Sequence, residues 1–404
     1  RQRTLDPPFP GSNPGAPVQP MRNLPGINTL IVKVGSSLLA SNEGVNKDFI
    51  NNIAKELSFI KQKIPYIILV SSGAVAAGYK ILGYSERPKD IIDKQVCAAV
   101  GQAKLIWFYE QAFEKYNIPV AQVLFTKDDF ANRRRFLNVR YSLRKMLKLG
   151  IIPVINENDI VVIDELKYVE TFGDNDNLSA LVAGLIEADM LLILSDVEGV
   201  YYEDPKKTLN PKLVDNVDSI NKLLKEVELT TVSALGSGGM KSKIMAAKKA
   251  LTSGCYVGII NGNDLSNIVR FLNGENIGTF FNCAKKNHRL SKMWLAYATI
   301  TRGNIIVDDG AVKAIKDDNK SLLPGGIIFV NGRFSIGDVV VVMNKEGFEI
   351  ARGKVRYPSQ DVAKIAGMKS NEIYDKLGYK YSDEVIHRDD LIVTFDRDSE
   401  EDAK

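Results

Sequence analysis

The sequence predicts an α/β protein with a mostly parallel sheet covered by helices on both faces, followed by a smaller, mainly β domain. Two patterns support this prediction. Short apolar runs alternate with helical patterns between residues 27 and 260, which is typical of parallel sheets. After Cys283 the pattern changes to short strands separated by Gly, Asp and Asn turns. A chain of 404 residues is also long enough for two domains.

The elements of the first domain follow in a regular order. Buried strands are predicted at Ile27–Val34, Tyr66–Val70, Pro119–Leu124, Ile151–Ile155, Leu191–Leu194 and Cys255–Ile260. Helices are predicted at Phe49–Ile60, Ala74–Tyr116, Asp128–Leu149, Leu178–Ile186 and Ile244–Leu251. We expect Cys255–Ile260 to be the last core strand of this domain. In the second domain, strands are predicted at Asn304–Val307, Gly326–Val330 and Val339–Met343.

The domain limits follow from shifts in composition. We place the first domain at residues 21–284, a polar and basic linker at 285–297, the mainly β domain at 298–395 and a charged tail at 396–404. Residues 1–20 are rich in proline and lack the apolar core of a signal peptide. We interpret them as a disordered leader left by expression, with a natural disordered tail as the alternative.

The composition excludes several classes of protein. Hydrophobic residues make up 45% and charged residues 25% of the chain, as in soluble globular proteins, and the net charge of +4 does not indicate nucleic acid or a membrane surface. The three cysteines are widely spaced and odd in number, so they form neither a disulfide framework nor a metal knuckle, and two histidines leave little from which to build a zinc site or a Ser-His-Asp triad. A reducing cytoplasm is therefore the expected location.

The stretch Gly236–Lys243 is a glycine-rich turn that opens a predicted helix. Free backbone N–H groups and the positive end of a helix dipole attract anions at such a turn, and Lys241 and Lys243 add positive charge. This favours a site for nucleotide phosphates. The standard glycine-rich nucleotide signatures do not match, however, and a loop with two solvated lysines remains the alternative.

Small-residue turns follow the first two strands, at Gly35-Ser36-Ser37 and at Ser71–Ala74. Open α/β folds bind ligands at the carboxyl ends of their strands, so we expect Lys33 and the backbone N–H groups of Gly35 and Ser36 to lie at a ligand site.

Polar residues follow two later elements. Asn156–Asp159 comes after the fourth strand, and such side chains are costly to bury without partners. They suit a substrate that carries both an ammonium and a carboxylate group. At least one Asp or Asn of Gly173–Asn177 is expected to cap the following helix, and the calcium-loop pattern is absent.

The predicted helix Asp128–Leu149 is rich in arginine. These arginines fit a solvated face or a subunit contact as well as they fit ligand binding.

In this order the motifs resemble the amino acid kinase superfamily, whose members have a three-layer α/β/α fold and phosphorylate a carboxylate, carbamate or phosphate with ATP. The matching segments are Lys33–Ser36, Ser71–Ala74, Ser195–Tyr201 with Asp204-Pro205, and the loop ending in Lys243.

Further segments are similar to the glutamate 5-kinase family, which catalyses the first step of proline biosynthesis: Ile155–Asp159, Gly173–Ala180 and Gly236–Met240. Three C-terminal segments resemble the PUA domain that many such kinases carry: Val307–Ala311, Ser321–Gly326 and His387–Asp390. The resemblance runs from about Thr29 to Val393. Lys241 stands where the family often has a small polar residue, and we expect it to alter nucleotide affinity.

The resemblance implies ATP-dependent phosphorylation of the side-chain carboxylate of L-glutamate to L-glutamyl 5-phosphate. A carboxylate needs no general base, so catalysis would consist of positioning and charge neutralisation. The implied catalytic residues are Lys33, Lys243, Asp176, Gly35 and Gly73. The implied substrate-binding residues are Ser72, Asn156, Asp159 and Asn175. The implied nucleotide-binding residues are Lys33, Ser195, Asp196, Ser237, Gly238, Gly239, Met240, Lys241, Ser242 and Lys243.

The resemblance also implies ATP and Mg²⁺ as cofactors, without named metal ligands, and a homo-oligomer (dimer or tetramer) that is functionally coupled to the next enzyme of the proline pathway. No membrane or RNA partner is expected. Two alternatives remain open at this point. Another superfamily kinase, for acetylglutamate or uridylate, would not explain Asn156–Asp159 or the second domain. An RNA-binding protein would explain the PUA-like domain, which nevertheless lacks a stripe of aromatic and basic residues.

Overall fold

A computed structural model of the protein describes residues 21–41, 44–161, 175–203, 205, 208–220, 222–224, 226, 239–283 and 301–393, with only the backbone at Lys127, Ala131, Arg133 and Gly239. These residues fall into two compact units, one of residues 21–126 with 140–283 and the other of residues 127–139 with 301–393. The predicted leader, linker and tail lie outside the described residues, so the domain limits remain predictions.

An eight-stranded sheet forms the centre of the first unit. The strands of this unit are β1 (Thr29–Val34), β2 (Ala40–Ser41), β3 (Gly44–Val45), β4 (Tyr66–Ser71), β5 (Val120–Phe125), β6 (Ile152–Glu157), β7 (Met190–Ser195), β8 (Asn216–Val217), β9 (Tyr256–Asn261) and β10 (Thr279–Phe281). The sheet order is β5-β6-β4-β1-β7-β9-β10-β8, and β2 and β3 form a separate ladder. All neighbouring pairs in the sheet are parallel except β9 and β10. The predicted mostly parallel sheet is confirmed.

The sheet extends beyond the strand that we expected to be its last. Phe280 of β10 pairs antiparallel with Gly258 of β9, and Phe281 pairs in parallel with Val217 of β8. The expectation that Cys255–Ile260 ends the sheet is therefore wrong. Strands of two and three residues are too short to give a periodic pattern in the sequence.

Helices cover both faces of this sheet. In the first unit they are α1 (Ser36–Leu39), α2 (Lys47–Ile60), α3 (Ala74–Tyr79), α4 (Ile91–Glu114), α7 (Asn175–Ile186), α8 (Gly239–Thr252) and α9 (Ser266–Leu272). Two further helices, α5 (Lys127–Ala131) and α6 (Arg133–Lys148), lie between α4 and α7 in the chain; α5 and the part of α6 before Arg140 belong to the second unit. Successive side chains of a strand point to opposite faces. Leu30 and Val32 of β1 accordingly share a core with α2 and α4, whereas Lys33 reaches α7. No helix in the described parts of the chain is long and apolar enough to cross a bilayer.

Two long predicted helices are each divided in the structure. Ala74–Tyr116 separates into α3 and α4, because the intervening segment contains Gly83 at a left-handed φ of 80° and Pro88, neither of which suits a helix interior. Asp128–Leu149 separates into α5 and α6 at Asn132. The side chain of Asn132 accepts hydrogen bonds from the backbone N–H groups of Arg134 and Arg135 and so starts a new helix.

Helix α3 lies unusually close to α4. A Cβ atom on Gly78 would lie 1.9 Å from the carbonyl oxygen of Cys97, and one on Gly101 would lie 1.8 Å from that of Ala74. Only glycine permits this approach. The contact fixes the start of α3 and the preceding residue, Gly73, whose φ of 105° also favours glycine.

One arginine of the basic run has a structural role inside the first unit. Arg140 is buried, and its guanidinium donates to the carbonyl oxygen of Leu185 and, at 2.8 Å, to Glu187 Oε2. Arg144 donates to the same carboxylate oxygen from the surface. For Arg140 the solvated-face and subunit-contact interpretations are therefore wrong. This arginine fixes the C-terminal end of α7.

Replacing Arg140 with Ala should lower the free energy of unfolding by about 2 kcal/mol, because a buried carbonyl loses a charged hydrogen-bond donor. Arg144→Ala is the matched control, since Arg144 contacts the same carboxylate but its side chain is 46% exposed. It should cost less than about 1 kcal/mol. Urea unfolding of the two variants measures both values, and an equal loss would contradict the assignment.

The second unit contains a five-stranded sheet, as predicted for the mainly β domain. Its strands are β11 (Gly303–Val307), β12 (Ile327–Gly332), β13 (Val339–Met343), β14 (Glu349–Lys354) and β15 (Leu391–Val393). The order is β12-β11-β13-β14-β15, with only β11 and β13 parallel among these pairs. The short helices are α10 (Asp309–Lys316), α11 (Ser359–Ile365) and α12 (Ile373–Leu377).

Candidate active site

A cavity of about 300 Å³ opens at the carboxyl ends of β1, β4 and β6. Open parallel sheets bind ligands at this edge. All nine residues predicted to be catalytic or substrate-binding line the cavity: Lys33, Gly35, Ser72, Gly73, Asn156, Asp159, Asn175, Asp176 and Lys243. The structure therefore brings together residues that lie up to 210 positions apart in the sequence.

A carboxylate holds two lysines at one end of this cavity. Asp176, in the first turn of α7, forms ion pairs with Lys33 of β1 and, at 3.1 Å, with Lys243 of α8. The Asp176 side chain is 1% exposed, and those of Lys33 and Lys243 are 5% and 13% exposed. Electrostatic interactions are stronger in such a poorly solvated place than in water. The cluster carries a net charge of +1 and can stabilise an anion that bears more than one negative charge.

Amide side chains form a second network on the same side of the sheet. Asn175 Nδ2 donates to Ser72 Oγ at 2.8 Å and to Asn156 Oδ1 at 2.9 Å, and Asn156 Nδ2 donates to Gln102 Oε1 at 2.8 Å. Among the described residues, Asn175 Oδ1 is buried without a hydrogen-bond partner, so it can accept from a ligand. Gln102, which supports Asn156 from α4, was not predicted because it lies inside a helical run without a local motif.

The other charged groups of the cavity lie on the β6 side. Asp159 begins a short 3-10 turn, Asp159–Val161, directly beyond β6. Burial raises the pKa of its carboxyl group, and the positive charge of Arg87 lowers it in part. Arg87 and the buried Glu157 also line the cavity. Arg87 was not predicted, since it lies in the connection between α3 and α4, where nothing in the sequence marks a site.

The Asp and Asn residues at the start of α7 contact other side chains. Asn175 contacts Ser72 and Asn156, Asp176 contacts the two lysines, and Asn177 Oδ1 accepts from Lys249 Nζ at 2.5 Å. The remaining candidate for the expected helix cap, Asp174, lies outside the described residues. That part of the prediction remains untested.

The predicted nucleotide residues that the structure describes lie on β1, at the end of β7 and at the start of α8. Ser195 ends β7, next to β1 in the sheet, and its Oγ donates to Asp196 Oδ1 at 3.3 Å. Gly239, Met240, Lys241 and Ser242 form the first turn of α8 together with Lys243. Ser237 and Gly238 lie outside the described residues, as does Asp204 of the superfamily motif. The start of α8 thus provides a helix N-terminus, suited to phosphate, beside the lysine–aspartate cluster.

Comparison with known proteins gives a separate family match for each of the two parts of the chain. The Amino acid kinase family profile matches residues 28–261, and the PUA domain profile matches residues 303–377. Curated proteins named Glutamate 5-kinase from Citrifermentans bemidjiense, Thermus thermophilus and Thermoanaerobacter sp. are 44%, 43% and 42% identical to this chain. The alignments cover 91%, 91% and 90% of this chain and 98%, 98% and 97% of the relatives.

Proposed function

The chain belongs to the amino acid kinase family and, within it, to the glutamate 5-kinases, and from this premise we propose that it transfers a phosphoryl group from ATP to the side-chain carboxylate of L-glutamate. The product is L-glutamyl 5-phosphate, the first intermediate of proline biosynthesis. The observation that carries the proposal is a cavity lined by all nine residues predicted to be catalytic or substrate-binding, with the two lysines held by Asp176 at one end.

The lysine–aspartate cluster is the phosphoryl-transfer end of the site. Phosphoryl transfer spreads negative charge over the equatorial oxygens of the moving group, so fixed cations near these oxygens stabilise the transition state. Asp176 holds the ammonium groups of Lys33 and Lys243 before the substrates arrive, which avoids reorganisation during the reaction. Backbone N–H groups of Gly35 and Gly73 donate to the same oxygens.

The β6 side of the cavity binds the amino acid. Asp159 accepts a charge-assisted hydrogen bond from the α-ammonium of glutamate, and Asn175 Oδ1 adds an uncharged acceptor. The Ser72–Asn156–Gln102 network fixes the orientation of Asn175. Ser195, Asp196 and the first turn of α8 bind the nucleotide, and Lys241 adds positive charge there.

We propose that Mg²⁺ arrives with the nucleotide and is held chiefly by its phosphates. Within the described ranges, no group of three or more His, Cys, Asp or Glu side chains is placed to hold a metal ion, and Asp176 is engaged by two lysines. Mg²⁺ commonly keeps several waters and binds through substrate phosphates. When bound, it would neutralise β- and γ-phosphate oxygens.

Family membership supports further parts of the proposal. We place the enzyme in the cytoplasm as a homo-oligomer, dimer or tetramer, that is coupled functionally to the next enzyme of the pathway. Relatives that match about nine tenths of the chain are named Glutamate 5-kinase. Neither another superfamily kinase activity nor RNA binding has a specific observation in its favour.

The proposed function is tested by ADP release with L-glutamate, N-acetylglutamate and uridylate as separate acceptors. Hydroxylamine in the assay converts an acyl phosphate to a hydroxamate and so identifies the bond formed. We expect ADP and hydroxamate with L-glutamate only, because a site built for an ammonium group rejects an analogue that lacks it. Hydroxamate from N-acetylglutamate but not from glutamate would contradict the proposal.

A further inference from the structure

The cavity contains a cation with no role in the mechanism described above. Among the described residues that line it, the basic ones are Lys33, Lys243 and Arg87. Asp176 holds both lysines, whereas no carboxylate in the described part of the chain forms an ion pair with Arg87. Arg87 is thus a cationic group that lines the site and is available to a bound anion.

Arg87 lies at the amino acid end of the cavity. It is carried by the connection between α3 and α4, and its charge acts on Asp159, just beyond β6. β6 is separated from β1, which carries Lys33, by β4. Neighbouring strands are about 4.8 Å apart, so the ends of β6 and β1 lie roughly 10 Å apart. The cations of the cavity are therefore divided between its two ends.

L-Glutamate carries a carboxylate at each end, so a site that binds it needs a positive group at each end of the cavity. Its side-chain carboxylate must lie at the lysine end to receive the phosphoryl group, which leaves the α-carbon with an ammonium and a second carboxylate at the β6 end. Asp159 can bind the ammonium but would repel the α-carboxylate. A binding site for that α-carboxylate therefore needs a positive group close to Asp159.

We propose that Arg87 binds the α-carboxylate of L-glutamate and makes a free α-carboxylate a requirement for efficient phosphorylation; this inference rests on the proposed function. A guanidinium can bind a carboxylate through two parallel hydrogen bonds, whereas a lysine ammonium acts as a point charge. Arg87 is a specificity-determining residue in this account and takes no part in phosphoryl transfer.

The test compares L-glutamate with its α-carboxamide, isoglutamine, which retains the ammonium and the reacting carboxylate. Arg87→Leu should raise KM for glutamate by roughly 10- to 100-fold, as expected for loss of a hydrogen-bonded charge pair. KM for isoglutamine and kcat for glutamate should change less than about threefold. Arg87→Lys should fall between wild type and Arg87→Leu, since it keeps the charge without the paired donors.

Lys89→Leu is the matched control. Lys89 lies two positions from Arg87, is exposed and does not line the cavity. Its replacement by Leu removes one positive charge, as Arg87→Leu does. It should leave the preference for glutamate over isoglutamine unchanged. Equal increases in KM for both substrates with Arg87→Leu, or no increase for glutamate, would overturn the inference. Turnover of glutamate by the wild type is a separate result, and its absence would instead contradict the proposed function.

Discussion

Replacing Lys33 or Lys243 with Ala should lower kcat by about 10²- to 10³-fold, the loss typical when one preorganised donor is removed from a developing charge. KM for glutamate should change only a few-fold, because the amino acid binds mainly on the β6 side. An interaction made chiefly in the transition state affects kcat more than substrate binding. Steady-state kinetics at saturating ATP measures both constants.

Two further variants separate catalysis from folding. Lys33→Met keeps much of the buried volume and should give the same loss of kcat as Lys33→Ala, while thermal unfolding checks that each variant is folded. Lys249→Ala is the matched control, since this lysine contacts Asn177 from the same helix as Lys243 but does not line the cavity. It should retain kcat within about threefold. Near-wild-type kcat in the Lys33 and Lys243 variants would show that those lysines have a structural role and no role in catalysis.

Replacing Asp159 with Asn should raise KM for glutamate by roughly 10- to 100-fold, because the bound ammonium would face a neutral amide in place of a carboxylate. KM for ATP should change little, since the described residues predicted to bind the nucleotide lie on β1, at the end of β7 and at the start of α8 rather than beyond β6. The same variant should lose most of the discrimination against N-acetylglutamate. Comparable KM increases for ATP and glutamate would instead indicate a general disturbance of the site.

The pH dependence of KM provides a second test of Asp159. Burial holds the pKa of this carboxyl group above its usual range, with partial compensation by Arg87. Only the ionised form attracts the ammonium, so KM for glutamate should rise as the pH falls through that raised pKa. In Asp159→Asn this acid limb should disappear. An unchanged acid limb in the variant would assign the titration to another group.

Several site residues could be predicted from the sequence because they share one position in the fold. Lys33, Gly35, Ser72 and Gly73 lie at the ends of strongly apolar strands or in the small-residue turns that follow them. The carboxyl ends of parallel strands meet at one edge of a sheet. The resemblance to known kinases implied that Lys33, Asp176 and Lys243 are catalytic, and in the structure Asp176 forms ion pairs with both lysines.

The residues that the sequence missed depend on contacts between distant segments. Gln102 supports Asn156 across 54 positions, and Arg140 binds the end of α7 across 45 positions. Neither residue differs locally from an ordinary polar or charged residue on a helix. Arg87 lies in a connection that the helical pattern concealed. In the sheet, β8 and β10 were missed because their stability comes from pairing with neighbours rather than from a long apolar run.

The central claim is that a side-chain carboxylate oxygen of glutamate attacks the transferred phosphoryl group at the Asp176-held lysines. The most direct measurement uses glutamate labelled with ¹⁸O in both side-chain carboxylate oxygens, together with ATP and hydroxylamine. Attack by the carboxylate forms a C–O–P linkage through ¹⁸O, and hydroxylamine then breaks the C–O bond at the acyl carbon. We predict that the released phosphate carries one ¹⁸O atom per molecule. Phosphate without ¹⁸O, formed at the same rate as ADP, would show transfer to water and contradict the account.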